Sequence, residues 1–423
     1  MKKALSLLIL VISCLGIHAQ TRDSLDIKIG QMIMIGMPKA EVDPIVLEEV
    51  RSGKAGAIIY FEKNIPAKNS YMAFKKMSYT YQQAAPIPLF ITIDQEGGKV
   101  NRMKEKYGFP RSITATAMGK DSKLDSVRFY GASTGAALSG VGINVNFAPV
   151  VDVAIEPLNT VIVKVERSFS KSEDTVAIMA KEFIKTHRKV NVITVLKHFP
   201  GHGSSLADTH LGIADVTNTW NERELKPYKA LLDSGYVDAI MTSHIVNKKL
   251  DPRGYPGTLS NRIMDSLLRK TLGYNGVIFS DDMQMHAITE HYGLEDAIKL
   301  AINAGVDIMC FSNNIQGSES RTVDKVHKII RGYVEKGVIS KERIDQSFRR
   351  VLQLKGKMND EGEYYRQQIE MARALAMKNA EMARRNEEVA RETLRLAEKQ
   401  LKSTGEKAAE EGDKKSKKKK KKK

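Results

Sequence analysis

The chain has 423 residues, 42% of them hydrophobic and 28% charged, with a formal net charge of +17; this is enough apolar material for one large core and too much for an intrinsically disordered chain. Of its two cysteines one, Cys14, falls in an N-terminal leader, so Cys310 is left without an internal disulfide partner and a disulfide scaffold is excluded. The basic excess gathers at the C-terminus, where Lys414-Lys415-Ser416 precedes an unbroken lysine run from 417 to 423; without interleaved aromatics it argues against a nucleic-acid surface and for a disordered, adhesive tail.

Residues 1–20 open with Met1-Lys2-Lys3, continue with an apolar run from Ala4 to Ser13 and end in small residues around Ala19, the pattern of a secretory signal peptide cut near Ala19. The run is too short to stay in a bilayer, where about 20 apolar residues are needed. Val11-Ile12-Ser13-Cys14 also has the form of a bacterial lipoprotein signal, in which Cys14 would carry a lipid anchor. Both readings predict an exported protein, periplasmic or extracellular, and the second a membrane-anchored one. No later segment is apolar enough to cross a membrane.

Eight short apolar or β-branched runs follow: Met32–Met37, Ala57–Phe61, Leu89–Ile93, Ile143–Phe147, Val192–Leu196, Ala239–Thr242, Val277–Phe279 and Asp307–Phe311. Most precede a helical stretch. Strands alternating with helices predict a parallel sheet, and eight such units predict an α/β fold closed into a single TIM-like (β/α)8 barrel. A doubly wound open sheet is the competing arrangement, but no glycine-rich dinucleotide loop follows an early strand. Such a barrel carries its chemistry at the C-terminal ends of its strands. Polar residues stand there: Asp94 after the third run, Asp152 after the fourth, Lys197 and His198 after the fifth, Ser243 and His244 after the sixth, Asp281 and Asp282 after the seventh.

The densest group is Lys197-His198-Phe199-Pro200-Gly201-His202-Gly203 continuing to Asp208-Thr209-His210, three imidazoles, an ammonium and a carboxylate in one predicted loop. Pro200, Gly201 and Gly203 restrain its backbone, and Asp208, two residues before His210, is placed to orient an imidazole. Zinc binding by His198, His202 and His210 matches no closed zinc spacing, and the ammonium beside His198 opposes a cation, so neither a metal nor an organic cofactor is expected. His202 is read as a structural brace of the loop. His244 is compatible with a pocket wall or with a buried structural role, and His286 and His291 receive no role.

After Lys357 the composition turns to Glu, Arg, Lys, Ala and Met, with no proline and almost no glycine before Gly405. Residues 358–405 are therefore expected to be a polar helical extension, one long helix from Glu363 to Leu401, ahead of a Lys-rich tail at 406–423. The catalytic domain is then 21–357.

The loop just described, together with Asp94-Gln95-Glu96-Gly97-Gly98, Arg167-Ser168-Phe169 and Ser280-Asp281-Asp282-Met283, resembles glycoside hydrolase family 3 in its β-N-acetylglucosaminidase branch. The matches keep the family's order and run from about Ile29 to Leu354. The resemblance implies a retaining hydrolase that forms a covalent glycosyl-aspartate. Asp281, at the first aspartate of the Ser-Asp-Asp, would be the nucleophile, with Asp282 better suited to cap the following helix. His210 would be the acid/base, steered by Asp208: an imidazole titrates near neutrality, and a carboxylate partner raises its basicity and fixes its tautomer. Asp94, Arg102, Arg167, Lys197 and His198 would grip the sugar. The implied activity is exo-hydrolysis of terminal β-linked N-acetylglucosamine from peptidoglycan fragments or chitooligosaccharides.

Two residues depart from the pattern: Lys99 stands where many relatives carry arginine, and Ser204 where an acidic residue is often found. The sandwich-like second domain of larger family 3 β-glucosidases has no counterpart in the strand signals after Leu354. A family 3 β-glucosidase or β-xylosidase, a glycoside phosphorylase and a noncatalytic cell-wall-binding protein are the competing readings; a noncatalytic relative would be expected to lack Asp281 or His210.

Overall fold

The computed structural model of the protein describes residues 25–209, 212–316 and 322–358, and seven residues between 385 and 395. All eight predicted runs form the strands of a closed barrel: Ile33–Gly36, Ala57–Tyr60, Phe90–Ile93, Val145–Asn146, Ile193–Phe199, Ala239–Thr242, Val277–Asp282 and Ile308–Phe311. Each is hydrogen-bonded in parallel to its neighbours in chain order, and the last pairs with the first.

The runs are apolar throughout because both faces of each strand are covered. In the first strand Met34 points into the barrel interior, whereas Ile33 and Ile35 pack outward against the surrounding helices. The interior is filled by side chains. Phe279 lies 5.4 Å from Phe147 and 6.0 Å from Phe90, ring to ring, in edge-on and tilted contacts. Side-chain oxygens start several helices where the sequence supplies a capping residue: Asp43 for Pro44–Arg51, Ser172 for Glu173–Arg188 and Ser340 for Lys341–Gly356.

Two strand lengths differ from the sequence reading. The fourth is short because the Asn144 side chain takes over the pairing, accepting from Ile91 N and donating to Leu89 O. The fifth is long: Lys197, His198 and Phe199 belong to the strand rather than to a loop, since Lys197 O accepts from Val151 N and Phe199 O from Ser243 N. Beyond them, a two-stranded sheet of Ala214–Asp215 and Ile245–Val246 ties the end of the histidine-rich loop to the segment that follows the sixth barrel strand.

The helix Lys341–Gly356 seals the opposite end of the barrel. Val351, Leu354 and Met358 join the interior cluster. Lys355 donates to Gln31 Oε1 (2.6 Å) and Gly56 O (2.9 Å) beside the Phe90 ring.

The compact unit ends at Met358, and 359–423 form a second unit. Its described residues, among them Arg385, Val389 and Arg395, are helical; the rest of the predicted Glu363–Leu401 helix, the lysine tail and the leader lie outside the described residues. No helix among the described residues is long and apolar enough to cross a membrane.

Because Met358 is part of the plug, a chain ending at Met358 is expected to unfold cooperatively within about 3 °C of the full chain, the shift that about 1 kcal/mol produces in a large domain. One ending at Arg350 uncovers the interior cluster and is expected not to fold. Thermal unfolding followed by circular dichroism checks both, and an unfolded Met358 truncation would show that the second unit supports the barrel.

Candidate active site

The C-terminal ends of the strands enclose a cavity of about 330 Å³, at the small end of ligand sites, which run from about 300 to 1,000 Å³. Asp94, Arg102, Arg167, Lys197, His198 and Asp281 all line it. Residues drawn from the fifth and seventh strands and from the segments that follow the third and fourth are thereby brought to one cavity.

Glu96 organises the charges. Its carboxylate accepts from Arg167 Nε (2.8 Å) and Nη2 (2.7 Å), and its Oε1 lies 2.7 Å from Lys197 Nζ. Lys197 also donates to Asp94 Oδ1 at 2.7 Å, and Arg102 Nη2 is 3.7 Å from Asp94 Oδ2. Burial opposes the charged forms of Glu96, Arg167 and Lys197. Their opposite charges outweigh it, holding Glu96 far below the usual carboxylate range and Arg167 and Lys197 above theirs. The carbonyl of Val161 takes a further donor of Arg167.

His198 is held by a second carboxylate. Its Nδ1 lies 2.7 Å from Asp152 Oδ2 and its Nε2 3.3 Å from Arg167 Nη2. These partners assign the proton to Nδ1 and leave the Nε2 lone pair for the guanidinium. Asp152 is fully buried, and although burial opposes its charge, His198 and His202 keep its pKa below the usual value. Its Oδ1 accepts the backbone N–H groups of His198 (3.2 Å) and His202 (2.8 Å). Glu96 and Asp152 were not singled out from the sequence as site residues. Glu96 was visible inside the Asp94-to-Gly98 motif and Asp152 at the end of the fourth run, but neither position states which cation it will meet.

The loop after the fifth strand packs tightly on its neighbours. A Cβ on Gly201 would sit 2.4 Å from that of Glu224, and one on Gly203 only 1.7 Å from Val153 O. Ser204 donates both its N–H and its hydroxyl to Glu224 Oε1, each at 2.8 Å. Asp208 is half-buried, and His210 lies outside the described residues. The adjacent Thr209 lines the cavity, and its carbonyl accepts from Ala287 N at 3.3 Å. The loop therefore ends against the segment that follows Asp281.

Asp281 sits at the end of the seventh strand. Its N–H donates to Thr242 Oγ1 (3.1 Å), and its Oδ1 accepts from Asp282 N (2.8 Å). Asp282 is not the helix cap expected from its position. The next helix, His286–Thr289, begins only after Met285. Asp282 instead accepts from the Ser312 hydroxyl, Ser312 N and Gln284 N, and burial pushes its carboxyl up to about 6. His244 is fully buried between Thr258 Oγ1 (2.7 Å) and Asp282 O (2.9 Å), which places it behind the cavity wall. Among the described residues His202 braces the loop through its backbone, its N–H donating to Asp152 Oδ1 and its carbonyl accepting from Asn159 Nδ2.

Glu96→Gln tests the charge balance. A depressed carboxylate contributes fully above its ordinary value of 4.5 and loses that contribution only as pH falls through the much lower folded value. From about pH 5 to about pH 8 the substitution is expected to cost a constant increment of about 3 kcal/mol in urea unfolding, since two buried cations lose their shared partner. Unchanged stability at pH 7 would contradict this.

The profile described as "Glycosyl hydrolase family 3 N terminal domain" matches residues 24–354. The chain is 32% identical over 289 residues to a beta-hexosaminidase of Tolumonas auensis, covering 68% of this chain and 84% of that one. It is 31% identical over 335 residues to beta-hexosaminidase A of Pseudoalteromonas piscicida, covering 74% and 55%. Similar solved structures include a family 3 beta-N-acetylglucosaminidase from Paenibacillus (TM-score 0.71, 32% identity, 79% of this chain and 62% of that one). A beta-N-acetylhexosaminidase from Beutenbergia cavernae gives a TM-score of 0.71 at 28% identity, covering 79% and 98%. The chain thus spans nearly all of the last protein but less than two thirds of the Pseudoalteromonas and Paenibacillus chains. With the barrel, the ordered motifs and these matches in agreement, the chain belongs to glycosyl hydrolase family 3.

Proposed function

We propose that the protein is a retaining exo-β-N-acetylglucosaminidase that releases terminal β-linked N-acetylglucosamine from peptidoglycan fragments or chitooligosaccharides outside the cytoplasm. The observation that carries this reading is that Asp281 and the Asp94–Lys197–Glu96–Arg167–His198 network line one cavity sized for a single ring. A small, preorganised cavity suits removal of one terminal residue rather than cleavage inside a polymer. The names of the relatives, beta-hexosaminidase and beta-N-acetylglucosaminidase, support the 2-acetamido sugar, and the leader supports export.

In this reading Asp94 accepts from sugar hydroxyls while Arg102, Arg167 and Lys197 donate to the ring's oxygens, with His198 fixed beside them. Asp281 attacks the anomeric carbon, and the bond to the aglycone oxygen breaks as that oxygen takes a proton from His210. Water then gives its proton back to His210 and cleaves the ester, restoring the carboxylate with net retention. Asp208 orients the imidazole. Asp281 suits attack because its N–H is tethered to Thr242 Oγ1 and its carboxylate Oδ1 to the Asp282 N–H, so little motion remains to be lost on reaching the transition state.

Aryl glycosides with and without the 2-acetamido group test the specificity: turnover is expected only with it, and a preference for aryl glucoside or xyloside would replace this reading. Asp281→Ala is expected to lower kcat by about four orders of magnitude or more in a folded protein. A fluorinated sugar trapped on the wild type should add mass to the peptide containing Asp281. Wild-type rates in the variant would remove Asp281 from the mechanism.

For His210→Ala, the loss on a natural disaccharide is expected to be about 10²-fold or more, with a much smaller loss on an activated aryl glycoside, whose leaving group needs little protonation. Equal losses on both would argue against proton transfer by this residue.

A further inference from the structure

The main chain that carries Asp281 is held in an unusual way. The paired register of the sixth and seventh strands ends at Met241 and Phe279, and that of the seventh and eighth shifts between Ile308 and Cys310, yet Asp281 and Asp282 still belong to the seventh strand. Buried backbone groups there need partners from elsewhere, and side chains supply them. Asp281 N–H donates to Thr242 Oγ1 at 3.1 Å, and Thr242 Oγ1 lies 2.6 Å from Thr258 Oγ1. Thr258 Oγ1 is 2.7 Å from His244 Nδ1, and His244 Nε2 is 2.9 Å from Asp282 O. The peptide bond between Asp281 and Asp282 closes these four links into a ring. Thr242, His244 and Thr258 are fully buried, so bulk water does not compete for any link.

The order of the hydrogens follows from the two ends. A carbonyl only accepts, so His244 Nε2 carries a hydrogen. The Thr242 oxygen accepts from Asp281, and its own hydrogen turns to Thr258 Oγ1. In the neutral imidazole Nδ1 is then an acceptor, and the Thr258 hydroxyl donates to it. All links run in one direction, and each polarises the next. The ring grips the nucleophile's backbone on both sides, at the N–H that precedes the Asp281 Cα and at the carbonyl that follows it, while Asp282 N–H holds the carboxylate Oδ1 at 2.8 Å. His244 stands behind the cavity wall and acts only through Asp281.

We propose that His244 is a positioning residue for the nucleophile: in its Nε2–H form it completes, through Thr258 and Thr242, the ring that sets the backbone of Asp281 and with it the aim of the carboxylate. This rests on the reading of Asp281 as the nucleophile, and it gives His244 no contact with the sugar and no part in proton transfer.

The test uses the full chain with His244→Leu, which removes both polar atoms, and His244→Gln, whose amide N–H can replace Nε2 on Asp282 O. With an aryl N-acetyl-β-glucosaminide, the Leu variant is expected to lower kcat about 10²-fold, the cost of a misplacement of about 1 Å at the reacting centre. The Ki of free N-acetylglucosamine should stay within about threefold, since the groups that hold the sugar are untouched, and the Gln variant should recover about tenfold in kcat. A purely structural His244 would lower the unfolding temperature and leave the kcat of the folded Leu variant within about twofold; that result overturns the proposal. Should the Leu variant fail to fold, Thr258→Val, which leaves His244 in place and cuts the ring at its middle, decides on the same criterion: a loss of about tenfold in kcat at unchanged Ki supports the proposal, and an unchanged kcat overturns it. In the wild type with 15N-labelled histidine, the ring signals that are missing from the Gln variant should show Nε2 protonated and Nδ1 bare, and a hydrogen on Nδ1 alone overturns the proposal. Wild-type rates in Asp281→Ala defeat the functional reading and this proposal with it, whereas an inactive Asp281→Ala beside a fully active His244→Leu defeats the proposal alone.

Discussion

The site depends on keeping an ammonium, a guanidinium and two carboxylates at a nearly dry barrel rim. The Lys197 side chain is 3% exposed and that of Glu96 5%; either charge alone would be expelled from such a place. Glu96 makes the arrangement possible because one of its oxygens serves two cations, Arg167 and Lys197, while Asp94 takes another donor of Lys197. Binding a sugar then requires no charge to be created or moved. The donors and acceptors already stand in position, and the ordering was completed on folding.

Around this network a set of buried carboxyls anchors the neighbouring backbone, and their ionisation follows their partners. Asp152 faces two imidazoles and two backbone donors and stays ionised. Glu224 has only Ser204 and a distant Val153 N–H to offset burial and the charge of Asp152, and its pKa is pushed up to about 8. Asp282, with neutral donors only, lies between them at about 6.

The barrel was legible because a strand covered on both faces must be apolar at every position, so all eight appear as uninterrupted runs whatever their surroundings. The rim was legible because polar residues recur at one end of those runs. What stayed hidden was pairing. Glu96 meets Arg167 from 71 residues away and Asp152 meets His198 from 46, and no local pattern announces which acid will find which base. The fifth strand was read as ending at Leu196 because polar side chains look like a loop, yet Lys197 and His198 stay in the ladder since Asp94 and Glu96 offset the ammonium and Asp152 binds the imidazole across it. His202 was read as a brace from its place among glycines; the brace is real, but it lies in the N–H and the carbonyl.

Ser204 illustrates how such a site accommodates a departure from the family pattern. An acidic side chain at that position would stand against Glu224, whose Oε1 already accepts from the Ser204 N–H and hydroxyl, and one of the two acids would have to keep its proton. Serine supplies a donor in place of an acceptor, so no second acid stands against Glu224. The loop that leads to Asp208 is thereby tethered by two short hydrogen bonds at its base, while Gly201 and Gly203 permit the close approach that makes them possible. The tether also explains why the loop's polarity does not make it a solvated turn: its first half is bound to the barrel, and only from Leu206 onward does it reach solvent.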